Sequence, residues 1–155
     1  MVVLRVTKKD EERIKDLAAL LQSQAIDEKP VEMNAEGELD ACRQNLDILD
    51  QDNTTWIAIA YMDNTPAGFI SITRIPKPNA KNGYLYVDEL YTDPNFRRRG
   101  VADSLLDYSK TLSKSLNLAG VRLLVRNSNE PAKHCYAKNG FVLSSTTFGQ
   151  WLCPK

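Results

Sequence analysis

Apolar residues recur at two different periods along the chain, and the switches between them outline the elements. Val2–Val6 is a short β-branched run and reads as a strand. Ile14, Leu17, Ala18 and Leu21 follow at three- and four-residue spacing, which predicts a helix over 8–23. Thr7 can cap it, with Asp10 three residues on and Glu11 beside it as a loose capping box. Gln24–Glu38 carries Asp27, Glu28, Glu32, Glu36 and Glu38 together with Pro30 and Gly37, so an acidic loop is expected there. Leu39, Cys42, Leu46 and Leu49 then mark a second helix. Trp56–Tyr61 and Ala67–Ile75, joined by turn residues, read as a hairpin that ends in the loop Pro76–Gly83. Tyr84–Thr92 is the next strand. After Asp93-Pro94-Asn95 the period lengthens again, and Val101, Leu105, Tyr108, Leu112 and Leu116 share one helix face. Gly120 stops that region and Val121–Val125 reads as a buried strand. A strand–helix–strand crossover of this kind implies parallel pairing. Pro131 fits the first turn of a last helix, which Asn139-Gly140 ends. Phe141–Leu143 and Thr147–Leu152 are expected as a terminal hairpin. The pattern is a mixed α/β sheet with antiparallel N-terminal strands, a central parallel crossover and flanking helices, in one domain over 1–155.

Composition narrows the function. A chain of 155 residues can bury a proper core. Twenty acidic and twenty basic residues balance, so nothing in the net charge favours nucleic acid. No apolar run reaches the length of a membrane span, and Arg5 interrupts the N-terminal apolar stretch as it would not in a signal peptide. Cys42, Cys135 and Cys153 are odd in number and widely spaced. Neither a disulfide framework nor a metal site is expected, and unpaired thiols suit the reducing cytoplasm.

The candidate chemistry lies between the strand Tyr84–Thr92 and the helix after it. Arg97-Arg98-Arg99-Gly100-Val101-Ala102 places fork-shaped cations and a glycine at a helix N-terminus, where unpaired N–H groups and the helix dipole attract anions. From these residues alone, a phosphate cradle and a solvated basic turn both stand. The P-loop and the dinucleotide fingerprint do not fit, because the loop has one glycine and no lysine.

The same six residues match the Arg/Gln-x-x-Gly-x-Gly/Ala signature of the GCN5-related N-acetyltransferases, the GNAT superfamily. Asn129-Glu130-Pro131-Ala132-Lys133-His134-Cys135-Tyr136-Ala137-Lys138-Asn139-Gly140-Phe141 resembles that family's Asn-x-x-Ala-x-x-x-Tyr-x-Lys-x-Gly-Phe segment. The two motifs keep the family's order and separation, and the resemblance is clear from Trp56 to Phe141. It implies a GNAT fold in which the two central parallel strands splay apart. It also implies that Arg97, Arg98, Arg99, Gly100, Val101 and Ala102 hold the pyrophosphate of acetyl-coenzyme A, with Leu90, Tyr91 and Thr92 offering backbone groups to the rest of the coenzyme. Asn129 would contact the coenzyme arm, or act as a helix N-cap, or both. Lys133 would meet a phosphate, or be solvated.

Tyr136 is the resemblance's candidate acid for the departing thiolate; as a residue type alone it is a packed tyrosine. Asp88 and Glu89 are adjacent on a strand and are expected to point to opposite faces. Glu89, sharing a face with Tyr91, is the candidate base or amine anchor. His134 lies two residues before Tyr136 and points elsewhere, and Cys135 is read as packing. The reading is an N-acetyltransferase moving an acetyl group directly from acetyl-coenzyme A to a primary amine (a small cationic amine, an amino sugar or a protein amine), with the acidic stretch 27–40 favouring a cationic small molecule. The alternative is a non-catalytic acyl-coenzyme A binding module. The resemblance also leaves room for a homodimer, with Phe148 and Trp151 of the terminal hairpin as a candidate contact.

Overall fold

Five strands form one sheet in sequence order: β1 (Val2–Arg5), β2 (Thr55–Met62), β3 (Thr65–Ile75), β4 (Tyr84–Thr92) and β5 (Val121–Leu123). The first three pairings are antiparallel, and β4–β5 is parallel, across the crossover helix α3 (Val101–Ser115). The remaining helices are α1 (Glu11–Glu28), α2 (Ala35–Asp52) and α4 (Glu130–Lys138). The structure, a computed structural model, describes residues 1–28, 35–79 and 82–154, grouped in two units, Met1–Leu124 and Val125–Lys155. No described helix is long and apolar enough to cross a membrane.

In the first unit the period-2 pattern of the strands sorts side chains onto two faces. Ile59, Phe69 and Tyr91 meet Ile14, Leu17, Ala18 and Leu20 of α1 and Cys42 and Leu46 of α2. Trp56, Ala58, Ala60, Ile70, Ile72, Leu85 and Val87 meet Val101 and Leu105 of α3. Each fully buried Leu or Ile on these faces contributes about 1.5–3 kcal/mol. Burial also pushes the Cys42 thiol up to about 11, with the Glu38 charge adding to the effect, in keeping with a packed and unreactive cysteine.

A β-bulge changes the alternation along β4. Ser71 pairs with Glu89 and Ile72 with Val87, which leaves Asp88 as one extra residue on β4. Val87 therefore lies in the α3 core and Tyr91 in the α1/α2 core, although they are four apart. The strict opposition expected of Asp88 and Glu89 does not survive the bulge. The β4–β5 ladder also ends at Val87–Leu123, just before the bulge, so β5 is shorter than the 121–125 strand that its apolar residues suggest.

The helix boundaries differ from expectation where polar residues dominate. Asp10, not Thr7, caps α1: its carboxylate accepts from the Arg13 N–H at 3.1 Å. The helix then runs to Glu28, and α2 begins at Ala35 with Glu36 and Glu38 in its first turn. Most of the expected acidic loop is thus helical, with carboxylates favourably placed at the α2 N-terminus; Pro30 and Glu32 lie outside the described residues. Asn117, not Gly120, closes α3. At φ 54° it lets the N–H groups of Asn117 and Leu118 bond back to Lys114 and Ser113.

In the second unit, Asn129 caps α4 by accepting from the Ala132 N–H at 3.2 Å. The helix ends in a Schellman motif, with Phe141 N–H on the Tyr136 carbonyl, Gly140 N–H on that of Ala137, and Gly140 at φ 87°. Residues 141–154 carry no strand, which corrects the expected terminal hairpin. A lone two-stranded hairpin is marginal in water. Val142, Phe148, Trp151 and Leu152 are exposed, so no apolar face holds such a hairpin together.

Gly68 sets how closely α3 approaches the sheet. A Cβ there would lie 2.4 Å from the Tyr91 carbonyl oxygen and 2.9 Å from Cγ1 of Val101. Gly68→Ala is therefore expected to cost about 3 kcal/mol, at the upper end for overpacking because a backbone atom must move. Denaturant unfolding checks this; a loss below about 1 kcal/mol would show that the contact relaxes easily.

Candidate active site

The loop between β4 and α3 is built from its own side chains. Asp93 accepts from the Asn95 backbone N–H at 2.9 Å and from Asn95 Nδ2 at 3.0 Å, which caps the short 3-10 turn Pro94–Phe96. Arg97 is bound to Asp27 on α1, and its Nε donates to the Thr92 carbonyl at 3.3 Å. The Arg99 guanidinium lies 5.6 Å from the centre of the Phe96 ring. Arg98 is exposed, sits at φ 61°, and makes no ion pair with the described residues. The three arginines thus differ in role: one is tied down, one is stacked and one is open to solvent.

Gly100 is the N-cap of α3 at φ 82°, ψ 9°, with no side-chain cap for the first turn. Nothing lies within 4 Å of where its Cβ would be. Glycine is required here by conformation, and the space beside it is open. The first intrahelical bond runs from Ser104 to the Gly100 carbonyl at 3.1 Å. The N–H groups ahead of it, those of Val101 and Ala102 included, are the ones that a helix N-terminus presents to an anion. The Val101 side chain itself is core. An anionic pyrophosphate fits this donor set in charge and in access.

Beyond the bulge, among the described residues of the first unit, β4 has a strand partner only on its β3 side. The edge that carries Leu90 and Thr92 is left without a ladder among the described residues of that unit. Leu90 is half-buried on the α3 side and the Thr92 carbonyl is occupied by Arg97. The Tyr91 side chain is buried, 6.0 Å from Phe69 between ring centres, with its hydroxyl 3.1 Å from Ser23 Oγ. Only its backbone remains for a ligand.

Glu89 faces α1. Desolvation raises its pKa, the Asp88 and Glu28 carboxylates add to the rise, and a hydrogen bond from Gln24 opposes it. Glu89 does share a face with Tyr91, is exposed to solvent, and is a weaker acid than a free glutamate.

In the second unit, Tyr136 is half-buried with its ring 6.1 Å from that of Phe141, the side-chain contact that accompanies the Schellman motif. Desolvation raises the phenol pKa, with Cys135 adding to it, so the hydroxyl stays protonated at neutral pH. Lys133 binds Glu130 at 3.0 Å and the Asn127 carbonyl at 3.3 Å, so its ammonium is engaged within its own unit. His134 is exposed. Among the described residues, no group of three His, Cys, Asp or Glu is arranged to hold a metal ion.

Residues 14–141 match the model of the acetyltransferase (GNAT) family. The chain belongs to the GNAT family. A streptothricin acetyltransferase of Escherichia coli is 31% identical over 84 residues, which are 54% of this chain and 45% of that protein. The chain spans about half the length of the curated relatives it matches. Two solved structures share the fold. An aminoglycoside acetyltransferase from an uncultured soil metagenomic sample, in complex with sisomicin, has a TM-score of 0.79 at 13% identity, covering 99% of this chain and 96% of that one. The structure of AAC(6')-Iy with a bisubstrate analogue has a TM-score of 0.76 at 16% identity, covering 98% of each chain.

Within this GNAT fold, sequence reasoning did not find the partners that α1 supplies. Ser23 and Asp27 reach the loop 93–97, while Gln24 and Glu28 surround Glu89. Their four-residue spacing, continuing the register of Ile14 and Leu17, was the available signal.

The raised Glu89 pKa has a consequence for stability. The folded protein holds this proton more tightly than the unfolded chain. Its favourable contribution is complete below about pH 4 and is lost as the pH rises through the raised folded value. Glu89→Gln should therefore raise the unfolding midpoint at pH 8 and leave it nearly unchanged at pH 4. Thermal melts at both values check the sign, and a variant less stable than wild type at pH 8 would contradict it.

Proposed function

We propose that this GNAT-family chain is an N-acetyltransferase that moves an acetyl group directly from acetyl-coenzyme A to a primary amine of cationic character. The observation that carries the reading is Gly100, which opens the uncapped first turn of α3 to an anion beside the exposed Arg98. Arg98, Gly100 and the backbone N–H groups of Val101 and Ala102 hold the pyrophosphate, with Arg99 adding positive charge. Acetyl-coenzyme A supplies the activated thioester. Arg97 and Lys133 each have protein partners that engage their cationic groups, so their contribution is to the shape of the loop and of the α4 N-terminus, while Asn129 caps α4 through Oδ1 and contacts the coenzyme arm through Nδ2.

Glu89 takes the proton from the incoming ammonium, directly or through water, and leaves a neutral amine whose lone pair can attack the carbonyl. As the C–N bond forms and the C–S bond breaks, the departing thiolate needs a proton. As the family resemblance implies, the Tyr136 hydroxyl, protonated at neutral pH, supplies it. The carboxylates of Asp88 and Glu28 around Glu89 support a cationic acceptor. The streptothricin and aminoglycoside acetyltransferases among the similar proteins support an acceptor of the same chemical kind.

Thermal unfolding with and without acetyl-coenzyme A tests the coenzyme site. At one hundred times the dissociation constant the ligand should add about 2.7 kcal/mol of stability. Gly100→Glu, which places a carboxylate in the open space, should abolish the gain. No gain for wild type at saturating coenzyme would refute the reading. In a thiol-release assay over a panel of streptothricin, an aminoglycoside and a polyamine, Tyr136→Phe is expected to lower kcat about 10²-fold with little change in coenzyme affinity.

A further inference from the structure

We infer that Ser23 and Asp27, on the last two turns of α1, are positioning residues for the coenzyme loop, and that Arg97 is the anchor they hold rather than a ligand of the coenzyme phosphates. The inference rests on the reading above that the loop 97–102 binds acetyl-coenzyme A.

Two contacts tie α1 to the loop. Ser23 Oγ donates to Asp93 Oδ2 at 2.8 Å, and since that carboxylate only accepts, the 3.1 Å contact of Ser23 with the Tyr91 hydroxyl is one in which the phenol donates. A directed chain thus runs from the buried Tyr91 through Ser23 to Asp93, which caps the turn before the arginines. Burial alone would raise the Asp93 pKa. Bonds from Ser23 and from the Asn95 backbone and side chain, with the Arg97 charge, outweigh it and hold the carboxyl ionised below its usual range. One helical turn further along α1, Asp27 binds the Arg97 guanidinium, whose Nε is already committed to the Thr92 carbonyl. The segment that leads into the arginine–glycine turn is therefore held at Asp93 and at Arg97, by residues four apart on one helix.

The magnitude of the Asp27–Arg97 pair decides what it is for. The two side chains are 29% and 48% exposed, and Asp27 lines a cleft with the apolar atoms of Ala19, Ile26 and Pro94. A pair this exposed contributes little to stability. It can nonetheless select one orientation for a long side chain and one path for the loop that follows it. Arg98, the next residue, sits in the left-handed region at φ 61°, a conformation that persists only where its surroundings impose it. The neighbouring stripe of the same helix end, Gln24 and Glu28, faces Glu89. The end of α1 is thus shared between the coenzyme loop and the candidate base.

Calorimetric binding of coenzyme A to Asp27→Asn, Arg97→Gln and the double variant tests the inference. Each single change is expected to weaken binding about fivefold, and the double variant should be no weaker than the poorer single, because Asp27→Asn removes nothing that Arg97→Gln has not already removed. If Arg97 instead contacts phosphate and Asp27 merely competes for it, Asp27→Asn binds more tightly than wild type, and the inference is overturned. Amide hydrogen exchange of residues 95–100 in the coenzyme-free protein gives a second readout. It should be faster in Asp27→Asn, and an unchanged rate also overturns the inference. If wild type fails to bind coenzyme A at all, the proposed function fails while the exchange measurement still decides whether α1 holds the loop.

Discussion

The approach of α3 to the sheet at Gly68 is the constraint on which the candidate site depends. With no side chain at that position, the Tyr91 carbonyl and the Val101 side chain share the space that a Cβ would take. The first turn of α3 is thereby seated on β3 and β4, and the loop that precedes it has a fixed floor. The αL conformation of Gly100 matters only because that floor is fixed. A helix free to slide by a turn would aim its N–H groups elsewhere.

The bulge at Asp88 is the second determinant. One inserted residue moves Tyr91 into the α1/α2 core while leaving Val87 in the α3 core. It brings the exposed Glu89 beside the end of α1 and coincides with the end of the β4–β5 ladder. A single backbone irregularity thus places the candidate base, leaves the strand edge without a ladder and anchors Tyr91, whose hydroxyl begins the chain to Ser23 and Asp93.

Much of this architecture was legible in the sequence. The apolar stripes of α1, α2 and α3 and the alternation of β2 and β3 mark the layers correctly, because core burial imposes its period on the residues. Asn129, Pro131 and Gly140 mark both ends of α4, because caps have local chemistry. Helix ends inside polar stretches were not legible. Asp27 and Glu28 suit a helix as well as a loop, and only contacts to residues about seventy positions away decide between them. The roles of the arginines were hidden for the same reason. Residue type shows a cation, whereas the partner that occupies it is set by tertiary structure. The bulge left no mark, since Tyr84–Thr92 alternates acceptably in either register. The terminal apolar residues read as strands because the pattern shows hydrophobicity but not whether an opposing face exists.

The two tryptophans sit in opposite environments, one in each unit. Trp56 is 4% exposed, beneath α3 with the Arg5 guanidinium 5.8 Å from its ring, while Trp151 is 79% exposed near the end of the chain. Indole emission is blue when the ring is dry and red when it meets water, so the native protein carries two spectrally separate chromophores. An external quencher reaches one of them and not the other. The chain therefore has a built-in optical label on each unit, and the fate of the sheet and of the C-terminal segment can be followed independently without attaching a dye.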